Sequence, residues 1–498
     1  MGYTFSDLEE YLEKYVALNE ASVLFEWDQE TEAPSKSTDY TARTIGVIAD
    51  MRYNILINDK VEKIIEFLKE KTEFNKLTEN QQCQLMEIEK EYERLNAVSK
   101  EDYRRYNELV SRSMSAWSRA RDNNDFSIFA PYLSEVIELQ KRFAKLRSKD
   151  GMKPYDVLLK DYEEDYDTEK LDAFFEPIKE ATVKLLKEAV ANSDCDKSYN
   201  FQRFDVDKQR QFCEFLSEYL GMDMERGVIA QSAHPFTTNL HKNDVRITNH
   251  YYENNLESAI FSAIHETGHA LYEQGIDEEI TQTVIGEGLS MGMHESQSRF
   301  YENIIGKNKN FWLPIYPKLV QMFPEQLKDV DLDAFIKGFN KVEPGLIRTE
   351  SDELSYVLHI IIRYEIEKMI FAGEVEVEDL PKVWNDKYEE YLGIRPNNDS
   401  EGILQDIHWS DGSFGYFPSY AIGNAIAAQL YYHIKENIPF DEYLAEGKLD
   451  KIRDYLDENI HRYGKKKTTE EILKSITGEG LDSKYYIKYI NYKWKQDH

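Results

Sequence analysis

The segment from Leu256 to Tyr272 constrains the fold most, because it combines a helical apolar stripe with two histidines four residues apart. Asn254 or Asn255 can cap its start, and Gly275 can end it. The apolar positions recur at helical spacing and are Leu256, Ile260, Ala263, Ile264 and Leu271. This pattern predicts an amphipathic helix that is largely buried, so we expect the histidines to be buried as well.

The two histidines belong to the pentapeptide His265-Glu266-Thr267-Gly268-His269, which matches the pattern HEXXH. Residues four apart lie on one helix face, about 6 Å apart along the axis, so both imidazoles can reach one tetrahedral zinc. Glu266 is then next to the open position of the metal, where a carboxylate can take a proton from zinc-bound water. The alternative is a chance match on a solvated helix, but a buried histidine pair without a partner would be costly. The motif therefore predicts a metallopeptidase.

A catalytic zinc takes three protein ligands and keeps one position for water, so a third ligand is expected after His269. Glu295 is the main candidate, because it lies 26 residues further on in a second predicted helix that can pack against the first. The alternative for Glu295 is a salt bridge to Arg299, four residues later on the same helix. His294 and Glu287 are competing ligands, and spacing alone leaves this choice open.

Most of the chain carries apolar residues at three- and four-residue spacing, which predicts long helices. The clearest segments are 61–69, 80–97, 100–121, 168–192 and 205–221. Between 237 and 252, β-forming residues flank a turn at Asn243-Asp244, which predicts a small antiparallel hairpin directly before the histidine helix. The chain has only 23 glycines and 13 prolines in 498 residues, and few stretches look like linkers. We therefore expect an all-α fold with a small antiparallel β-sheet near the site, in a single domain over residues 1–498.

The formal net charge of −32 argues against nucleic acid and anionic membranes as partners. The three cysteines, Cys83, Cys195 and Cys213, are too few and too scattered for a disulfide framework or a zinc cluster. Residues 1–16 have the pattern of an acidic amphipathic helix rather than of a signal peptide, and no window approaches about 20 apolar residues. A cytoplasmic location is therefore expected.

Six motifs, in order along the chain, match those of one family of metallopeptidases. They are His234-Pro235-Phe236, Asp244-Val245-Arg246-Ile247-Thr248, the HEXXH pattern at 265–269, His294-Glu295-Ser296-Gln297, Ile347-Arg348-Thr349-Glu350-Ser351-Asp352, and Gly402-Ile403-Leu404-Gln405-Asp406-Ile407-His408-Trp409. On these motifs the chain resembles the carboxypeptidase Taq family of zinc metallocarboxypeptidases over nearly its whole length. Trp27-Asp28-Gln29 is similar to the N-terminal region of that family. Ser351 stands where the family often has alanine, which is a small-for-small exchange.

The resemblance implies that His265, His269 and Glu295 bind one zinc ion per subunit and that Glu266 is the general base. Cobalt or manganese could replace zinc in such a ligand set. The resemblance also implies a homodimer that removes single amino acids from peptides with a free C-terminus, with broad side-chain tolerance. We expect two helical halves of the single domain to flank a deep substrate groove, with the sheet at its wall and the metal at its floor.

A carboxypeptidase must bind the free C-terminal carboxylate of its substrate. Arginine suits this role, because its planar guanidinium group binds carboxylates bidentately and keeps its charge. The resemblance points to Arg348 first and to Arg246 next. Internal ion pairs with Asp352 or Asp244, which are close in sequence, are the alternatives.

The metal neutralises the oxyanion of a tetrahedral intermediate in part, and a neutral hydroxyl or imidazole donor can stabilise it further. His408, Tyr416 and Tyr420 lie in one stretch, and the resemblance favours Tyr420, with His408 next. Simple packing is the alternative for the tyrosines, since the chain contains 34 of them. His234 is expected either to contact the substrate or to cap its own loop before Pro235.

Two other functions fit part of the pattern. An endopeptidase or dipeptidyl-carboxypeptidase could use the same helical shell, and it would cleave a C-terminally amidated peptide. A helical scaffold could instead hold a structural metal. A structural site has no use for Glu266, so this carboxylate favours an enzyme.

Overall fold

The computed structural model describes residues 2–149, 151–192 and 195–495, and helices make up most of them. The α-helices are α1 (Phe5–Thr31), α2 (Thr38–Leu56), α3 (Asp59–Lys69), α4 (Lys71–Phe74), α5 (Glu79–Asn96), α6 (Lys100–Asn123), α7 (Ala130–Arg147), α8 (Pro154–Leu159), α9 (Thr168–Asn192), α10 (Val206–Leu220), α11 (Leu256–Gln274), α12 (Met291–Arg299), α13 (Lys309–Trp312), α14 (Tyr316–Met322), α15 (Pro324–Leu327), α16 (Leu332–Phe339), α17 (Glu353–Ala372), α18 (Leu380–Leu392), α19 (His408–Asp411), α20 (Phe417–Asn437), α21 (Phe440–Glu446), α22 (Leu449–Asn459), α23 (Thr469–Thr477) and α24 (Ser483–Trp494).

Shorter elements connect these helices. A π-helix spans Phe300–Gly306. The 3-10 helices are Ser35–Ser37, Phe126–Ile128, Ser198–Phe201, Arg348–Glu350, Val377–Asp379 and His461–Lys466. The strands are β1 (Gly227–Gln231), β2 (Thr237–His241) and β3 (Asp244–Asn249). The predicted mainly helical class with one small sheet is confirmed.

The three strands form a mixed sheet in the order β1-β3-β2. The predicted hairpin is present, since β2 pairs antiparallel with β3. The third strand, β1, was not predicted, and it pairs parallel with β3, so the sheet is not purely antiparallel. No tight turn marks a parallel neighbour in the sequence, because parallel strands are joined through longer connections.

The helix that carries the two histidines, α11, lies close to its predicted bounds. The Asn255 side chain accepts a hydrogen bond from the backbone N–H of Ser258, and Gly275 follows the last helical residue, as predicted. The helix packs against α10, α12, β3 and the π-helix. Fourteen of its nineteen residues are buried, as predicted, but His265 and His269 are only half-buried, with 19% and 16% of their side chains exposed, so the expectation that both are buried is wrong.

Two glycines let the neighbouring helices approach the site closely. A Cβ atom on Gly268 in α11 would lie 2.7 Å from the Cα of Ser298 in α12. A Cβ atom on Gly423 in α20 would lie 2.7 Å from the Cβ of Glu295 in α12. A larger residue at either position would push α12 away, and Glu295 with it.

The apolar side chains form one extended core over α6 to α24 and a second core within α1 to α5. The N-terminal helices also reach the sheet, because the ring of Trp27 in α1 lies 5.5 Å from that of Phe236, next to β2. Among the helices of the described residues, none is long and apolar enough to cross a membrane.

Candidate metal centre and active site

Three side chains on α11 and α12 converge in the way that a tetrahedral metal requires. The Nε2 atoms of His265 and His269 lie 3.6 and 3.5 Å from the Oε2 atom of Glu295. One ligand atom from each of the three residues lies within 4.8 Å of the other two. Ligand atoms about 2.1 Å from a tetrahedral zinc are about 3.4 Å apart, so this arrangement fits such an ion. We call His265, Glu266, His269 and Glu295 the metal wall.

A second group of charged side chains holds these ligands. The Nδ1 atom of His265 lies 2.8 Å from Glu302, which belongs to the π-helix directly after α12. Arg299 donates to Glu295 at 2.7 Å and to Glu302 at 3.0 Å. The predicted alternative for Glu295, an ion pair with Arg299, is therefore present as well, but through the Oε1 atom, while Oε2 faces the histidines.

These charges decide the protonation states of the two carboxylates. Burial acts to raise the pKa of Glu295, but Arg299 and His265 outweigh it and hold that pKa well below its usual value. For Glu302, Arg299 and His265 overcome the same effect of burial and lower the pKa to about 2. Both groups are therefore carboxylates at neutral pH and can act as ligand and as hydrogen-bond acceptor.

His294, the competing ligand, lies behind His269 rather than in the ligand set. The Nδ1 atoms of the two imidazoles are 2.6 Å apart, and the Nε2 atom of His294 is 2.7 Å from Glu273 in α11. The other competing residue, Glu287, pairs with Lys465. Burial lowers the pKa of His269 to about 3, so its imidazole is neutral, as a metal ligand must be.

Glu266 is buried next to the ligands, with 6% of its surface exposed. Thr237 in β2 donates a hydrogen bond of 2.6 Å to its Oε2 atom. Burial raises the pKa of Glu266, although His265 and Thr237 act against this. A carboxylate with a raised pKa is a stronger base, which suits proton transfer near neutral pH.

Arg348 lies in a buried cluster with a second arginine. Its Nε atom donates to the Oδ1 atom of Asp406 at 2.9 Å, and its Nη1 atom donates to the hydroxyl of Tyr356 at 3.2 Å. Arg363 donates to the other oxygen of Asp406 at 2.7 Å. The ion pair of Arg348 is thus with Asp406, and the suggested partner Asp352 instead caps α17.

The aromatic residues predicted to stabilise an oxyanion lie together beside Arg348. The Nε2 atom of His408 is 3.2 Å from the hydroxyl of Tyr420, and the ring of Tyr416 is 5.0 Å from that of Tyr420. The Arg348 guanidinium lies 4.9 Å from the centre of the Tyr420 ring. We call Arg348, His408, Tyr416 and Tyr420 the anchor wall.

The protonation states of this wall follow from burial. Burial lowers the pKa of His408 to about 3, with Arg348 and Arg363 acting in the same direction against Asp406. Burial also raises the pKa of Tyr416 to about 12 and that of Tyr420 well above its usual value. At neutral pH the wall therefore presents a neutral imidazole and two protonated hydroxyls, which can act as hydrogen-bond donors.

The two walls adjoin through Tyr356 in α17. Its ring lies 4.4 Å from the guanidinium of Arg299, and its hydroxyl accepts from Arg348. Glu295 is also close enough to Tyr416 to contribute to the rise in its pKa. Arg348 is therefore one side chain away from Arg299, which itself binds Glu295.

The two remaining predicted residues belong to the sheet region. Arg246 in β3 donates two hydrogen bonds of 2.7 Å to Asp244, which is the internal pair considered from the sequence. Its guanidinium also lies 5.8 Å from the centre of the Trp27 ring. His234 is exposed, between β1 and β2, and its backbone carbonyl accepts from Ser232.

Five residues that contact and orient the predicted site residues were not predicted from the sequence. They are Thr237, Glu273, Glu302, Tyr356 and Arg363. A signal existed for Glu302, which follows Glu295 by seven residues and so falls on the same helical face. Its contact to a histidine of another helix had no local signal.

Known proteins are similar to this chain over nearly its whole length. A family model described as carboxypeptidase Taq (M32) metallopeptidase matches residues 7–494. The chain is 43% identical over 492 residues to carboxypeptidase 1 of Bacillus subtilis (strain 168), which covers 98% of this chain and 97% of that protein. It is 36% identical over 484 residues to thermostable carboxypeptidase 1 of Pyrococcus furiosus, with 96% of each chain covered. The fold is similar to the crystal structure of an M32 carboxypeptidase from Deinococcus radiodurans R1, with a TM-score of 0.94, 32% identity and 98% of both chains covered.

Proposed function

Because the chain belongs to the carboxypeptidase Taq (M32) metallopeptidase family, we propose that it removes single amino acids from the free C-terminus of peptides. Membership of the family makes it a metal-dependent carboxypeptidase and thus a hydrolase. The observation that carries the proposal is the convergence of His265, His269 and Glu295 beside the buried Glu266. We further propose zinc as the metal and broad tolerance for the released residue.

The donor set supports the choice of metal. Two imidazole nitrogens and one carboxylate oxygen are typical of catalytic zinc sites, and cobalt or manganese could occupy the same ligands. A divalent cation held there would lower the pKa of a water molecule and polarise the scissile carbonyl group. The outer nitrogens of both histidines are engaged by Glu302 and His294, which leaves the Nε2 atoms for the cation.

Glu266 is the proposed general base. It takes the proton of the attacking water and then delivers this proton to the leaving amine. The hydrogen bond from Thr237 holds one carboxylate oxygen in place, so the group is oriented before the substrate arrives.

Arg348 is the proposed binding group for the substrate carboxylate. In its cluster, two guanidinium groups, those of Arg348 and Arg363, share the single carboxylate of Asp406, so one positive charge is left over. The side chain of Arg348 is only 8% exposed, and a buried surplus charge is costly until an anion approaches. Its hydrogen bonds to Asp406 and Tyr356 use two of the five N–H donors of a guanidinium group. The other donors are proposed to bind an incoming carboxylate.

Tyr420 is the proposed oxyanion donor, with His408 and Tyr416 as its neighbours. Its hydroxyl is protonated and lies in the wall that adjoins Glu295. Arg246 and His234 are proposed to contact the substrate from the sheet, with a smaller part in binding, because Arg246 is already paired with Asp244.

A peptide of mixed sequence tests the reaction. The metal-loaded protein is incubated with the peptide, and the products are followed by mass. We expect a ladder of single-residue losses from the C-terminus, and no cleavage of the matched peptide that ends in an amide. Efficient cleavage of the amidated peptide, or losses of two residues at a time, would replace the proposal by an endopeptidase or a dipeptidyl-carboxypeptidase. A wild-type protein that binds metal but does not cleave either peptide would favour a binding scaffold.

We also propose that the chain forms one domain, with two helical halves around a groove, and that it acts as a cytoplasmic homodimer. Membership of the family supports the dimer, and the small number of scattered cysteines supports a reducing compartment. Light scattering tests the dimer, which should have twice the mass of the 58.6 kDa chain. A mass of one chain at micromolar concentration would contradict it.

A further inference from the structure

The two metal-binding histidines are supported in different ways. His265 has a carboxylate, Glu302, directly on its outer nitrogen at 2.8 Å. His269 has a second imidazole there, that of His294, and a carboxylate only behind it. From this difference we infer that His294 and Glu273 form a relay that positions His269 for metal binding.

The direction of the relay follows from the hydrogen-bonding capacity of its members. A carboxylate accepts, so the Nε2 atom of His294 carries the proton and donates it to Glu273 at 2.7 Å. In a neutral imidazole the other nitrogen is then an acceptor, so the Nδ1 atom of His294 accepts from the Nδ1–H group of His269 at 2.6 Å. The relay thus keeps the hydrogen of His269 on Nδ1 and leaves the Nε2 lone pair facing Glu295.

Glu273, the last member of the relay, is held in a fixed position by its hydrogen bonds. It is 3% exposed, and its Oε1 atom accepts from the backbone N–H of Gly288 at 3.0 Å in addition to His294. Its Oε2 atom accepts from the amide of Asn239 in β2. Hydrogen bonds from three directions fix this carboxylate, so the imidazole of His294 has one favoured orientation.

Strand β2 supports both the proposed base, Glu266, and the end of the relay, Glu273. Thr237 and Asn239 are two residues apart in β2, so their side chains lie on one face. Thr237 contacts Glu266 and Asn239 contacts Glu273, and these two acids are two helical turns apart on α11. The strand therefore holds the proposed base with one side chain and the end of the relay with another.

Two variants separate the charge of the relay from its hydrogen bonds. In Glu273→Gln the side-chain carbonyl can still accept from Gly288 and His294, so only the negative charge is lost. The new amide group would face Asn239, whose Oδ1 atom is buried without a hydrogen-bond partner among the described residues, so that side chain can turn and accept. His294→Leu removes the relay itself.

The experiment measures the dissociation constant of Zn²⁺ by competition with a chelator, and the visible absorption of the Co²⁺-loaded proteins. Because partners of metal ligands commonly contribute 10- to 100-fold to affinity, we expect the dissociation constant to rise about 10-fold in Glu273→Gln and about 100-fold in His294→Leu. We also expect the Co²⁺ absorption bands to shift in both variants. Glu302→Gln, which changes the direct partner of His265, should weaken binding as well.

Glu257→Gln is the matched control. Glu257 is a buried acid in the first turn of the same helix, and it binds Tyr199 and Lys197 rather than a metal ligand. Its variant should keep the wild-type dissociation constant and spectrum, even if the melting temperature of the metal-free protein falls.

The inference rests on the metal site of the proposed function, and the two can fail separately. If the wild type binds Zn²⁺ and both relay variants bind it within a factor of two of the wild type, the relay is overturned and the metal site stands. If Glu273→Gln and Glu257→Gln weaken binding equally, Glu273 has only a structural role. If the wild type binds no divalent cation, both proposals are wrong. If His294→Leu does not fold, Glu273→Gln decides the question.

Discussion

The metal wall and the anchor wall adjoin through Tyr356, yet they are built from the chain in different ways. The metal wall comes from two successive helices, α11 and α12, and its members lie within residues 265–295. The anchor wall combines a residue of a 3-10 helix with residues of α19, α20 and the loop between them, over residues 348–420. Charged partners orient the metal wall, whereas one shared aspartate and stacked aromatic rings hold the anchor wall.

This comparison shows where each part of the chemistry is encoded. A metal needs a few donor atoms at fixed separations, and one helical turn already supplies two of them. Recognition of the C-terminus of a peptide needs a positive charge at a fixed distance from the metal. Here that distance depends on how segments that are distant in sequence pack together. Variants of the two walls should therefore differ in which kinetic constant they change.

The largest effect is expected for Glu266→Gln in the metal wall. Loss of the proposed base should lower kcat by about 10⁴-fold, while the bound metal per chain stays unchanged. Steady-state kinetics and metal analysis of the same preparation measure both quantities. Full turnover in this variant would remove Glu266 from the mechanism.

A somewhat smaller effect is expected for Arg348→Gln in the anchor wall. Truncating a buried charged partner should cost about 4 kcal/mol, or about 10³-fold in kcat/KM for peptides with a free C-terminus. Arg348→Lys is the matched control and should recover part of this loss, because it keeps the charge but not the planar fork. A fall in kcat/KM that came with an equal loss of bound metal per chain would assign Arg348 a structural role only.

Tyr420→Phe should lower kcat by about 10²-fold and change KM little, because the hydroxyl is needed when charge develops on the carbonyl oxygen. Tyr416→Phe has the same chemistry in the adjacent ring and should have a smaller effect. If the order is reversed in the measured kcat values, Tyr416 is the oxyanion donor.

Thr237→Val should lower kcat by about 10-fold. The variant keeps the shape of the side chain but removes the hydrogen bond to Glu266, and a bond to a charged group contributes about 1.5 kcal/mol. Thr237→Ser retains the hydroxyl and should stay close to the wild type. Equal kcat values in all three proteins would show that Glu266 needs no support from β2.

The smallest effect concerns pH. The pKa of His408 is lowered to about 3, so its imidazole is protonated only below that pH and stays neutral from about pH 5 to 9. His408→Gln should therefore leave the shape of the pH profile of kcat/KM unchanged in that range, even if the value of kcat/KM falls at every pH. A limb of the wild-type profile that disappears in the variant would contradict this protonation state.

The helices were largely predictable from the sequence, and so were the three residues that come together as the candidate metal site. The predicted segment 168–192 coincides with α9, and the histidine helix begins at Leu256 as expected. The strand β1 was missed, since a parallel neighbour leaves no turn signal in the sequence. Spacing left Glu295, His294 and Glu287 as alternatives, and only the tertiary structure places Glu295 next to both histidine Nε2 atoms, His294 behind His269, and Glu287 next to Lys465.

The sequence by itself determined the mainly helical fold and the two histidines with their acid, because helical periodicity relates neighbours in the chain to neighbours in space. The tertiary structure alone decided which partner each of these side chains has: Glu302 for His265, His294 with Glu273 for His269, and Asp406 for Arg348. The physical reason is that most of these contacts join separate elements of the fold, and their distances depend on how closely whole helices pack. The absence of a Cβ atom at Gly268 and Gly423 sets that distance for α12.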